Sequence, residues 1–317
     1  MKIDKLDLKL ILELEKNSRQ SLSKISKKIK NSQQLVSYRL NKLIEEKIIL
    51  NFITIIDYYK LGFKNHKIYL KLNTNSENLE KIISYLKDKK YINYICECCN
   101  NYDLIIEFIS KNTYDFNNKF TAFRNLFYKN FKNYLILETF EKYYYYKDYL
   151  NNKFRNLNLE KSTFLDSKRL ILKNKDIKIL EILTNNSRIS TVDICNELNI
   201  DTVYFVKSIN KFKNNGIILK QSMFLDFNKL NIEKYKLLIK FKDLSIENSR
   251  NIILYLKNNL NVIDISKVIG CFDLEISFEV KSKTEFLYNI TEIKNKFYKN
   301  IDNLEVITIF YEQKYFY

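Results

Sequence analysis

Residues 32–43 read SQQLVSYRLNKL. At 3.6 residues per turn Val36 and Leu40 fall on one helix face, and Gln33, Gln34, Ser37 and Tyr38 fall on the opposite one. A glutamine carboxamide carries a donor beside an acceptor, the pattern that pairs in two bonds with the major-groove edge of adenine. Arg39, Lys42, Lys24 and Lys28 flank that face and suit phosphate oxygens, which position a protein on a duplex without reading it. The plainer alternative is a solvated polar face with a capping arginine.

Other residues invite chemistry and do not assemble it. Cys96, Cys98 and Cys99 in "CECC" suggest a metal, but strand alternation puts Cys96 and Cys98 on one face and Cys99 on the other. Zinc spacing needs a second ligand pair, and His66 is the single histidine. Buried strand cysteines are the better reading, and no metal or cofactor is expected. His66 has Tyr235 as its counterpart in the repeat described below, which fits a half-buried strand position rather than a catalyst. No activated nucleophile, glycine-rich phosphate loop or H-E-x-x-H is present, so the chain is expected not to be an enzyme.

The elements that must hold the glutamine face follow from spacing. Leu8, Ile11 and Leu12 predict a first helix; Ser21 caps a second carrying Leu22, Ile25 and Ile29; Asn31 turns; Ser32 caps the third, which ends near Glu46. "IILNFITII" is β-branched and predicts a strand. Three short helices, the last two joined by a tight turn, then an extended arm, predict a winged helix-turn-helix. Beyond it, strand and helix patterns alternate as βαββαβ, with helices at 76–90 (capped by Ser76) and 113–130, which is a ferredoxin-like arrangement.

The whole plan occurs twice. With a shift of 169, Asn17-Ser18-Arg19 meets Asn186-Ser187-Arg188, Ile48-Ile49-Leu50 meets Ile217-Ile218-Leu219, and Asp57 meets Asp226. After one residue of slip, Asp103-Leu104 meets Asp273-Leu274 and Phe127-Tyr128-Lys129-Asn130 meets Phe297-Tyr298-Lys299-Asn300. That period is too long for a solenoid and large enough for domains. The expected division is a winged helix-turn-helix over 1–50, a ferredoxin-like domain over 51–146, a polar linker over 147–168, a degenerate helix-turn-helix over 169–219, and a second ferredoxin-like domain over 220–317. The fold class is α+β.

The 317 residues carry a formal net charge of +17, with 24 Tyr and 22 Phe to fill cores and no Pro or Trp. Lysine, asparagine and isoleucine have AT-rich codons, so the global charge fits compositional drift as well as a polyanion partner. Its distribution discriminates better: residues 1–50 have 12 basic and 6 acidic side chains, whereas 170–219 have 7 and 5. The first helix-turn-helix is therefore the better candidate for double-stranded DNA. No segment has the length and apolarity of a membrane span, no secretory leader is evident, and five cysteines make no even framework, so a cytoplasmic, nucleoid-associated protein is expected.

These motifs together resemble the leucine-responsive/asparagine-operon regulator (Lrp/AsnC) family. They are Asp7 opening helix 1, Asn17-Ser18-Arg19-Gln20-Ser21 before helix 2, Ser32 to Leu43 as recognition helix, Ile48-Ile49, Asp57, and Leu61-Gly62. The resemblance implies a sequence-specific transcriptional regulator, paired through its ferredoxin-like sheets. It also implies an amino acid or small metabolite effector held near a "G-x-x-D" turn, here Gly270, Phe272 and Asp273, with Asp103 as the first-unit counterpart. Asp103 and Asp273 read equally well as turn residues. Two fused units imply an intramolecular pseudo-dimer, with further homo-oligomers possible. The first unit departs from the pattern at Lys47, where the second keeps Gly216, and the second lacks Arg39, having Ser208. The alternatives are a non-specific architectural DNA-binding protein and a siroheme-decarboxylase-like enzyme, a class that shares the two-module fold.

Overall fold

The computed structural model describes residues 3–150, 160–163, 170–243 and 246–315. Helices α1 (Lys5–Lys16), α2 (Leu22–Ile29) and α3 (Gln33–Glu45) close on Leu10, Ile11, Leu14, Ile25, Val36 and Leu43. Burying each such side chain contributes about 1.5–3 kcal/mol, so a short module holds together on one apolar cluster. Ser21 Oγ accepts from Lys24 N and Ser32 Oγ from Leu35 N, as the sequence predicts. Asp4 and Asp7 form a reciprocal capping box that opens α1.

Strand β1 (Ile49–Ile56) does not fold back as a wing. It pairs antiparallel with β7 (Ile218–Leu225), its counterpart in the second unit. A single extended arm has no partner inside its own module, and an unpaired strand leaves its backbone groups unsatisfied. Between the arms come β2 (Lys64–Leu72), α4 (Ser76–Lys87), β3 (Ile92–Cys99), β4 (Leu104–Ser110), α5 (Thr113–Phe127) and β5 (Phe131–Tyr144). Asn75, not Ser76, caps α4. Part of the expected linker is ordered: Asp148–Leu150 forms a 3-10 turn, and β6 (Glu160–Thr163) pairs with β5, while 151–159 and 164–169 lie outside the described residues.

The second unit repeats the order with α6 (Asn174–Asn185), α7 (Thr191–Leu198), α8 (Thr202–Asn214), β7, β8 (Glu233–Phe241), α9 (Ile246–Lys257), β9 (Val262–Ile269), β10 (Leu274–Val280), α10 (Lys283–Phe297) and β11 (Ile301–Tyr315). Each final strand is long and serves two sheets. β5 pairs with β2 through its first half and with β9 through its second, and β11 pairs likewise with β8 and β3. The order β2-β4-β3-β11-β8-β10-β9-β5, with β5 returning to β2, closes a ring of eight strands. Helices cover the outer faces over two clusters, one around Ile68, Ile106 and Phe123, the other around Leu237, Ile276 and Ile293.

Alternation along the strands fills the interior of the ring. Tyr69, Cys96, Cys98, Leu137, Leu238 and Phe272 form its apolar part. Burial pushes the Cys96 thiol up to about 12. His66 faces the other way and is fully rather than half buried, stacked on Phe116 at 4.1 Å; Tyr235 stacks on Phe286 at 3.7 Å in the matching place.

Candidate nucleic-acid interface

The amino-terminal turn of α3 presents Gln33 and Gln34 to solvent, with Tyr38 60% exposed and Ser37 half-buried one turn on. Lys24 is exposed on α2, and Lys42 is half-buried near the far end of α3. Two of the expected phosphate cations are engaged elsewhere. Lys28 Nζ lies 2.7 Å from Glu13 Oε2 and 3.0 Å from Gln20 Oε1. Arg39 Nη1 lies 2.8 Å from Asp4 Oδ2 and 3.3 Å from Asp7 Oδ2, so it fastens α3 to α1 rather than standing free on the polar face. Lys27 and Lys30, which the helical-face argument omitted, are also exposed. Lys30 holds the left-handed position (φ 58°) that ends α2.

Arg39 explains its own absence from the second unit. Buried Asp176, the counterpart of Asp7, accepts from Ser208 Oγ at 2.8 Å, Tyr204 Oη at 3.0 Å and Lys211 Nζ at 3.1 Å. The same junction is made with different donors, so losing the arginine does not unseat α8. The surface differs more. Residues 21–46 carry six cations and two carboxylates, whereas 190–215 carry three of each. On α7 and α8 the exposed side chains include Val192 (64%), Val203 (62%) and Val206 (47%), beside exposed Asp193, Glu197 and Asp201.

The repeated Asn-Ser-Arg motifs meet each other. Ser18 Oγ and Ser187 Oγ are 2.6 Å apart and buried. Arg19 Nη1 donates to Ser187 O at 2.7 Å and Ile189 O at 2.9 Å, and Arg188 returns the bonds to Ser18 O and, at 3.3 Å, Gln20 O. Burial lowers both guanidinium pKa values, Arg19 additionally through Arg188. A second reciprocal contact closes the helix ends. Lys60 Nζ donates to Asn215 O beyond α8, and Lys229 Nζ to Glu46 O beyond α3, each at 2.7 Å. A cation at a helix carboxyl terminus also favours the macrodipole. The repetition marked these motifs in the sequence, but only the fold brings them into contact.

The turn expected to hold an effector is occupied by the fold. Gly270 (φ 150°) lies against β5, where an added Cβ would come 2.6 Å from Leu137 Cδ2 and 3.0 Å from Ile136 O. Phe272 is buried in the ring interior. Asp273 Oδ2 accepts from Phe241 N at 2.8 Å, and Asp103 Oδ2 from Leu72 N at 2.7 Å, with Lys71 Nζ 2.9 Å from its other oxygen. Both aspartates therefore clamp the neighbouring strand rather than their own turn.

Inside the ring, charges that alternation places inward neutralise one another. Lys67 Nζ lies 2.9 Å from Glu275 Oε1 and 3.5 Å from Glu107 Oε1; Lys236 and the Tyr69 hydroxyl also bind Glu275. Lys234 lies 2.9 Å from Glu279 and 2.7 Å from Glu312, and Lys147 2.6 Å from Glu279. Burial would raise the Glu275 and Glu279 carboxyls, but the paired lysines outweigh it and hold both below the ordinary glutamate range. For Lys67 burial wins, and its pKa is lowered. Among the described residues no group of three His, Cys, Asp or Glu is placed to hold a metal ion, and no helix is long and apolar enough to cross a membrane.

The winged helix-turn-helix DNA-binding family matches residues 3–49 and again 172–218. An HTH-type transcriptional regulator of Pyrococcus abyssi is 29% identical over 108 residues, 34% of this chain and 72% of that protein. The HTH-type regulator LrpC of Bacillus subtilis is 33% identical over 87 residues, 27% of this chain and 60% of LrpC. The solved structure of the siroheme decarboxylase NirDL covers 98% of this chain and 93% of its own, with TM-score 0.64 and 11% identity. That likeness is one of fold. It nevertheless overturns the expectation that the chain is not an enzyme, because the architecture spanning both units is one on which an enzyme is built. The doubled module and the regulator relatives agree: the chain carries two winged helix-turn-helix DNA-binding modules and is similar to transcriptional regulators of the Lrp/AsnC type, in tandem duplicate.

Proposed function

We propose that the chain is a sequence-specific DNA-binding regulator that acts as an intramolecular pseudo-dimer with unequal arms. The first helix-turn-helix supplies the DNA contacts: Gln33, Gln34, Ser37 and Tyr38 at base edges, and Lys24, Lys27, Lys30 and Lys42 at phosphates. The second serves as its rigid support. The observation that carries this reading is the difference between equivalent surfaces. Residues 21–46 are strongly basic and polar, whereas 190–215 are neutral overall, with three valines and three carboxylates facing outward. A carboxylate at the position facing phosphate repels it, and an exposed valine offers no hydrogen bond to a base edge. Effector binding at the Gly270–Asp273 turn finds no support, since Phe272 and Asp273 are committed to the fold.

The test is binding to duplex from upstream of the chain's own gene and to a shuffled duplex, across a range of salt. Preference for the native duplex near physiological salt supports the reading. Equal binding that collapses with salt points to an architectural protein. Lys24→Ala and Lys27→Ala should each reduce the salt slope by about 0.9 if each neutralises one phosphate, whereas Lys207→Ala and Lys213→Ala should leave it unchanged. A second reading, a decarboxylase of the siroheme type, is favoured by the whole-chain fold likeness. Release of carbon dioxide from siroheme by the purified chain would establish it.

A further inference from the structure

Two cavities lie at equivalent places in the two units, and among the described residues only one is filled. The first, about 50 Å³, is walled by Leu225, Phe227, Leu230 and Ile232. The second, about 770 Å³, is walled by their repeat counterparts Ile56, Tyr58, Leu61 and Phe63, between α6 and the first ferredoxin-like domain. In the first, the chain supplies its own occupant. Tyr149 is 3% exposed, packs with Phe227 and Ile232, and its hydroxyl donates to Glu279 Oε2 at 2.5 Å. Among the described residues none takes that place in the second.

The linings differ in polarity. Ile109 and Thr184 stand in the open groove where the filled cavity has Glu279 and Glu15. Five lysines, at 87, 89, 90, 119 and 314, face two carboxylates there, Asp88 and Glu181. Lys90 is 88% exposed and 3.8 Å from Glu181, whereas Lys119 is already bound to Asp115 at 2.7 Å, Lys87 to Gln313 at 2.6 Å, and Lys314 to the Lys87 and Lys89 carbonyls at 2.8 Å. Deeper in, Asn93 is 3% exposed and its side-chain oxygen has no hydrogen-bond partner among the described residues. Burying an acceptor unpaired is costly, so this oxygen marks where a donor is missing.

We propose that the open groove binds a small aromatic carboxylate whose ring carries an N–H or O–H. The ring takes the place that Tyr149 fills in the other cavity, its donor meets Asn93 Oδ1, and the carboxylate lies toward the lysine rim at Lys90. Apolar walls with a few convergent polar groups are the usual make-up of such a site, and the volume lies within the range of ligand pockets. The inference stands apart from the DNA reading, because its test measures only the ligand.

Calorimetric titration with indole-3-propionate tests it. The expected result is one site per chain, with affinity lowered about tenfold or more in Ile177→Trp, which fills the groove from an exposed position on α6, and lowered severalfold in Lys90→Glu. Tryptamine, with the same ring and a positive charge, should bind at least about tenfold more weakly. No binding at millimolar ligand, equal affinity in a folded Ile177→Trp variant, or equal affinity for tryptamine would each overturn the proposal.

Discussion

Replacing Arg39 by alanine separates two roles for one side chain. From the helical face alone, Arg39 is a phosphate ligand, and its loss weakens DNA binding. In the structure its guanidinium bridges exposed Asp4 and fully buried Asp7. Truncation leaves Asp7 Oδ2 with the Asp4 amide at 3.0 Å and strips Oδ1 of its donor. An unsatisfied buried acceptor costs about 1–3 kcal/mol, and the half-exposed Asp4 contact adds little to that. Urea unfolding should therefore show a loss of about 2 kcal/mol in Arg39→Ala. The slope of log affinity against log salt should stay at its wild-type value, since no phosphate contact is removed. The second unit supplies a rescue. Leu35→Tyr with Arg39→Ser copies Tyr204 and Ser208 into α3, where Lys42 already stands in the position of Lys211, and should restore most of the lost stability. Unchanged stability in Arg39→Ala with a salt slope reduced by about 0.9 would refute the reasoning and return Arg39 to the DNA.

Lys47 holds φ 55° where Gly216 holds φ 63°, and the left-handed region costs a residue with a Cβ about 1–2 kcal/mol, so Lys47→Gly should raise thermal stability by up to about 1 kcal/mol after the entropy of a new glycine is subtracted. Acid should unfold the ring. The His66 imidazole, with Nε2 3.4 Å from Glu138 Oε2, and then Lys64, 2.7 Å from Oε1, hold the Glu138 carboxyl at about 2 against burial, and Glu275 and Glu279 also lie below the ordinary range. Their contribution is complete above the unfolded glutamate value and disappears as pH falls from there through the folded values; circular dichroism following Glu138→Gln should show a flatter acid limb between about pH 4.5 and 2. Arg188→Ala should cost about 1.5–3 kcal/mol, since hydrogen bonds from a charged donor to Ser18 O and Gln20 O are lost, and amide exchange should speed up at the contact between the two helix-turn-helix modules first. Among the cysteines, exposed Cys271 should react with a thiol reagent first, and Cys96 and Cys98 only on unfolding; early modification of Cys96 would contradict its place inside the ring.

Local signals in the chain were sufficient for the elements. Ser21 and Ser32 are caps because a hydroxyl before an apolar 3.6-residue pattern has few other uses, and both caps form. The repeat with its one-residue slip was equally legible, and with it the doubled α+β plan. The side-chain commitments were less so. Arg39 and Lys28 lie on the expected face of the motif, but their heads follow carboxylates on α1, and spacing along one helix is silent about charges on another. Tyr149 sat in a stretch that reads as linker, because scattered aromatics among polar residues have no periodicity until a cavity receives one of them.

The amino-acid sequence by itself determined the helices, strands and turns, the two copies, and the excess of cations on the first helix-turn-helix, since these depend on hydrogen bonding, periodicity and charge within a few residues. Only the tertiary structure decided that the arms β1 and β7 pair, that β5 and β11 each serve two sheets, that the Asn-Ser-Arg motifs clasp one another, and that Tyr149 fills one of two equivalent cavities. Those outcomes depend on which partner satisfies a backbone edge, a buried charge or an apolar wall, and the partners lie about 170 residues away.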